Sequence, residues 1–148
     1  MSDADKDDAL NALCNAAFGA SGQRCMALSV AVLVGDANKW IPDLVKKAQS
    51  FKIGAGKDDG VDLSPVCYPE LKERIVSLIS TAEKEGATLV TGGQHVGDRG
   101  YYISPAVFAN VKHEMRISQE EIFGPVLSVI KFKDEADAIR IANGTAFS

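Results

Sequence analysis

Apolar segments of two different periods alternate along this chain, and that alternation limits what it can fold into. Residues 27–34, "ALSVAVLV", form a β-branched, nearly continuous apolar run, the pattern of a strand buried on both faces. On either side lie segments of helical period. Residues 3–18 carry acids in their first turn, which suits the positive end of a helix dipole. Residues 40–51 repeat Trp40, Leu44 and Ala48 at a spacing of four and hold Pro42 in the first turn, where proline is tolerated. Residues 70–85 give the clearest helix, with Leu71, Ile75, Leu78, Ile79 and Ala82 on one face and Gly86 as its stop. Further on come "ATLVTGG", a short strand entering a turn; "YYISPAVFANV", extended but broken by Pro105 and so expected at an edge or irregular; and "GPVLSVIKFK", a second apolar strand. A short helix over 134–143 closes the series. Strands alternating with helices predict an α/β fold with a mostly parallel sheet and flanking helices.

At 148 residues the chain is expected to form one domain with one core. Its net charge of −4 argues against a nucleic-acid surface, and Lys46–Lys47, the one adjacent basic pair, reads as a solvated helix face. The longest apolar stretch, residues 26–34, is far short of the ~20 residues needed to span a bilayer. The acidic opening "MSDADKDDAL" resembles neither a signal nor a transit peptide. Three cysteines without CxxC spacing, with His95 and His113 isolated, fit a reduced compartment and argue against structural zinc.

Several features resemble chemistry without its full pattern. "GAGKDDG" lacks the early glycine and the Ser/Thr of a phosphate loop, since Phe51 and Asp58 stand there, and no strand leads into it; it reads as a solvent-exposed turn. Glu120 and Glu121 are adjacent, so they do not face each other as an acid–base pair, although one could act alone. Cys14, among Leu10, Leu13 and Ala17, reads as a core thiol, and Cys67 has no evident activator.

Cys25 stands apart. Gly19, Ala20, Ser21 and Gly22 remove bulk upstream of it, Arg24 places a cation beside it, and an apolar run follows as an anchor. A thiol held this way can attack an electrophilic carbon while its own N–H faces the developing oxyanion. A buried, inert cysteine explains the same letters equally well.

"FGASGQRCMAL" resembles the cysteine motif of the aldehyde dehydrogenase superfamily, and "EEIFGPVLSV" its second signature, in the family's order. "GQRCMA" and the opening "DADKDDALNAL" are most like the CoA-acylating methylmalonate-semialdehyde dehydrogenase branch. The resemblance implies that Cys25 attacks an aldehyde to give a thiohemiacetal and that hydride passes to NAD. The resulting thioester loses carbon dioxide and delivers its acyl group to coenzyme A. Glu121 would bind the nicotinamide ribose and Phe123 would pack beside the nicotinamide. Charge complementarity gives Arg24 the carboxylate of a small-molecule semialdehyde substrate. Residues 1–148 would then be part of the catalytic domain. The Rossmann cofactor domain and the oligomerising segment of the longer family members would be absent, so this chain alone is expected to show negligible turnover. Family members are homo-oligomeric, and apolar surface left uncovered here would favour self-association. The resemblance implies the mitochondrial matrix as the compartment, with the cytoplasm as the alternative for a chain without a targeting signal. Ser64 stands where the family favours glycine, "VCYPE" is atypical, and "IRIANGTAFS" reads as shortened, all of which bear on the pocket wall. The competing expectation is a non-catalytic binding module that keeps the fold.

Overall fold

The computed structural model describes residues 3–132 and 134–147. Helix α1 (Lys6–Phe18) begins where Asp5 accepts a hydrogen bond from the Asp8 N–H at 3.0 Å, with Asp7 and Asp8 in its first turn. After strand β1 (Val30–Leu33) a 3-10 turn over Gly35–Trp40 leads into α2 (Ile41–Gln49), with Pro42 in its first turn as expected. The "GAGKDDG" segment is a loop that closes on itself. Lys52 donates from its backbone N–H to the Asp62 carboxylate and from Nζ to the Asp59 carbonyl, and Ile53 bridges to Leu63. Helix α3 (Pro69–Lys84), strands β2 (Thr88–Thr91) and β3 (Ala106–Ala109), the short helix α4 (Arg116–Gln119), strand β4 (Val126–Lys131) and helix α5 (Glu135–Ala142) complete the chain. The expected strand 124–133 ends on a residue outside those described. Among the described residues no helix is long and apolar enough to cross a membrane.

The four strands form one sheet in the order β1-β4-β3-β2. β1 with β4 and β4 with β3 are parallel, and β3 with β2 is antiparallel, so the sheet is mostly parallel as predicted. Alternation along β4 explains the two layers. Val126 and Ile130 join α3, α4 and Phe108 on one face, while Leu127 and Val129 join α1, α2, Ala31 and Leu33 on the other. Burying each such aliphatic side chain favours folding by about 1.5–3 kcal/mol, which is why both faces need helices.

Two expectations are corrected. "YYISPAVFANV" does not lie at an edge: β3 is interior and wholly buried, paired to both β2 and β4. Pro105 immediately precedes the strand, so its missing N–H removes no bond from the ladder. The run 27–34 is not a strand buried on both faces. Only Val30–Leu33 pair, at the sheet's edge, with Ala31 and Leu33 buried and Val30 and Val32 partly open. The Ala27 N–H closes a turn on the Arg24 carbonyl and the Leu28 N–H donates to the Ala16 carbonyl, so both point away from β4, and Ser29 gives the ladder only its carbonyl, which accepts from the Ser128 N–H at 2.9 Å.

Candidate functional site

The loop before β1 is built from three successive residues in the left-handed region: Ala20 (φ 52°), Ser21 (φ 56°) and Gly22 (φ 70°). Two of them carry side chains, so the conformation needs support. The buried Ser21 hydroxyl supplies it by donating to the Ser64 carbonyl. Gln23 adds a second tie, accepting from the Cys67 N–H at 2.9 Å through Oε1 and donating to the Ala20 carbonyl at 3.2 Å through Nε2. Gly22 lies hard against the second motif, since a Cβ placed there would sit 2.0 Å from the Gly124 carbonyl oxygen. This contact brings "GQRC" and "IFGP" together.

Cys25 follows on the turn, exposed and not disulfide-bonded. Its backbone N–H has no hydrogen-bond partner among the described residues. A cavity of about 380 Å³ opens beside it, with Cys25, Arg24, Glu121 and Phe123 all in its lining. Val30, Val32 and Val126 form an apolar side, and His113, Thr145 and Phe147 reach the same space. The four residues singled out from the sequence therefore share one cleft, and the sealed alternative for Cys25 is excluded. Cys14 is the buried thiol, 1 % exposed, and burial pushes its pKa up against the smaller opposing pull of Lys47.

The adjacent glutamates have different surroundings. Glu120 is held by Arg116, whose Nε and Nη2 donate to its two carboxylate oxygens at 2.6 and 3.1 Å, and Arg74 lies 3.7 Å away. The Arg116 hydrogen bonds hold the Glu120 carboxyl below the usual range, against some burial and with help from both guanidinium charges. The Glu121 carboxylate makes no hydrogen bond or ion pair among the described residues and stands exposed at the cleft. Phe123, in the left-handed region at φ 57°, is 36 % exposed.

Arg24 has a structural job that its letters do not reveal. Its Nη2 donates to the Asn15 and Ala16 carbonyls, both at 3.2 Å, capping the end of α1, whose own last turn holds no basic residue. Nε and Nη1 keep their N–H groups without partners among the described residues. Sequence reasoning also missed Ser21, the Gly22–Gly124 approach and Arg74, which donates to the carbonyls of Glu121 and Ile122. The run of small residues was the one visible hint of close packing, and nothing in the helical pattern of α3 marked Arg74. No group of three or more potential metal ligands occurs among the described residues.

The chain is similar over 99 % of its length to the methylmalonate-semialdehyde/malonate-semialdehyde dehydrogenases [acylating], mitochondrial, of Rattus norvegicus and Homo sapiens, at 46 % identity to each. It spans 28 % of either relative's length. Among solved structures, methylmalonate-semialdehyde dehydrogenase (DddC) from Oceanimonas doudoroffii superposes with a TM-score of 0.92 at 40 % identity, covering 98 % of this chain and 31 % of that one. The NAD+ complex of aldehyde dehydrogenase from Bacillus cereus gives 0.94 at 33 % identity, covering 99 % and 30 %. The pattern of the aldehyde dehydrogenase family matches residues 1–148 in full, and with both motifs meeting at one cleft the chain belongs to that family.

Proposed function

We propose that this chain is the cysteine-bearing part of an NAD-dependent, CoA-acylating (methyl)malonate-semialdehyde dehydrogenase. The observation that carries this reading is the shared cleft, where an exposed thiol with a free backbone N–H faces the same space as an unpaired carboxylate and a half-open aromatic ring. The names of the relatives support the acylating, semialdehyde-directed chemistry.

The Cys25 thiolate attacks the aldehyde carbon, and the aldehyde oxygen takes up negative charge as the C–S bond forms. The Cys25 N–H is free to donate to that oxygen, and a single donor of this kind is worth about 10²–10³ in rate. Glu121 and Phe123 fit a nicotinamide ribose: an unpartnered carboxylate accepts from ribose hydroxyls, and a partly exposed aromatic face flanks a planar ring. Bound NAD would supply the hydride acceptor for the thiohemiacetal carbon. Once Cys25 carries a thioester, the coenzyme A thiol takes the acyl group and the Cys25 thiolate leaves. Arg24 offers Nε and Nη1 to the substrate carboxylate while Nη2 remains on α1. The mitochondrial matrix and a homo-oligomeric assembly belong to this proposal, as does negligible NAD reduction by the chain alone, whose described strands form a single four-stranded sheet.

The acyl-transfer half of the reaction can be tested without NAD. An activated ester of a short acyl group is expected to acylate Cys25 in preference to Cys67, as read by mass spectrometry, and coenzyme A should then clear the adduct as acyl-CoA. Acylation of both exposed thiols at equal rates, or an adduct inert to coenzyme A, would refute the reading and favour a binding module.

A further inference from the structure

Neighbouring residues on α3 hold both sides of Phe123. On the upstream side, Arg74 Nη2 donates to the Glu121 carbonyl and Nη1 to the Ile122 carbonyl, each at 2.8 Å. On the downstream side, Ile75 lies so close to Gly124 that a Cβ there would meet its Cδ1 at 2.5 Å. Between them Phe123 takes a left-handed conformation that L side chains seldom adopt. None of these contacts uses the Glu121 or Phe123 side chain, which leaves both free at the cleft. Arg74 also adds charge to the pinning of Glu120.

We propose that Arg74 is a positioning residue, a two-pronged clamp on the backbone that presents Glu121 and Phe123 to the cleft. As a cofactor-presenting device it rests on the function proposed above. The planar fork is what the geometry requires: an arginine spans two successive carbonyls, and a lysine reaches one at a time.

The clamp is read from backbone 15N order parameters in the full chain, with no ligand present. Arg74→Gln and Arg74→Lys should both lower the order at residues 121–123 from a rigid value of about 0.85 to below ~0.6. Strands β3 and β4 should keep theirs. Loosening by Arg74→Lys separates the fork from the charge, and that variant decides the matter should Arg74→Gln fail to fold. Unchanged order at 121–123 in Arg74→Lys, or a fall spread evenly over the chain as a general loss of stability would give, overturns the proposal. The functional reading fails separately: acylation of Cys25 and Cys67 at equal rates refutes it, while the order parameters still report on the clamp.

Discussion

Replacing Gly22 by alanine tests whether the meeting of the two motifs is a packed contact or a coincidence of loops. Two costs arise at this position. The backbone sits at φ 70°, and a left-handed non-glycine residue costs ~1–2 kcal/mol. The new Cβ would lie 2.0 Å from the Gly124 oxygen, 2.4 Å from its carbon and 3.1 Å from the Pro125 nitrogen. All three are backbone atoms that cannot rotate away, so the overpacking range of ~1–3 kcal/mol applies. Together these predict a loss of about 2–5 kcal/mol, or ~4–20 °C in Tm for a chain of this size. Gly97→Ala is the matched control, since φ is 75° there and nothing lies within 4 Å of the added atom. Both variants share the left-handed cost and the same gain from a stiffer unfolded chain, so their difference isolates the clash with Gly124. Urea unfolding measures it. Two variants within ~0.5 kcal/mol of each other, less than the overpacking range, would refute the contact and with it the rigid joining of the motifs.

Alkylation at neutral pH should modify the exposed Cys25 and Cys67 and spare Cys14, whose thiol is buried with a raised pKa, until urea unfolds the chain; peptide mapping in which Cys14 reacts alongside them would contradict the core assignment. The Glu120 pKa is lowered in the folded state, so its pairing with Arg116 stabilises above the ordinary glutamate range and is lost as pH falls through the lower folded value. Glu120→Gln should therefore unfold at a modestly lower urea concentration than the parent at pH 7, with the gap closing below pH 4; a gap that widens with acid would reverse the sign. The Ser128 hydroxyl is wholly buried in β4 without a hydrogen-bond partner, and a buried unpaired hydroxyl costs about 1–3 kcal/mol by mutational measures. Ser128→Ala should raise the unfolding midpoint, and a lowered one would show that the hydroxyl has a use.

Period and punctuation made most of the fold legible. The register of apolar residues in 70–85 gave α3 nearly to its ends, and the strand–helix alternation gave a mostly parallel sheet. What failed was the order of strands. Pro105 suggests an edge when read in sequence, but it stands one residue outside the ladder, and β3, like β4, has neighbours on both sides. The apolar run 27–34 suggested full burial, but half of it lines the cleft, where apolar residues serve a cavity wall as well as they serve a core. Cys25, Glu121 and Phe123 were visible because their motifs are made of the side chains that face the cleft. Ser21 and Gly22 were visible only as small residues, and Arg74 not at all, because the contacts of each are with backbone atoms of a segment distant in sequence.

The pair Glu120–Glu121 shows how two identical letters come to differ. Two adjacent carboxylates repel, and a chain leading into a buried strand gains little by placing both in one environment. Here α3 and α4 each contribute a guanidinium to Glu120, so its charge is neutralised on the helical side of the segment. The extended backbone at Glu120 directs the next side chain elsewhere. Arg74 acts twice in this, near the Glu120 carboxylate and on the Glu121 carbonyl, so a single helical residue couples the ion-paired half of the pair to the unpaired half. The Glu121 charge is thereby left with water and the cleft as its only neighbours among the described residues. With no partner on the protein, the Glu121 carboxylate keeps its acceptor lone pairs free for hydroxyl donors, which is what the proposed ribose contact asks of it.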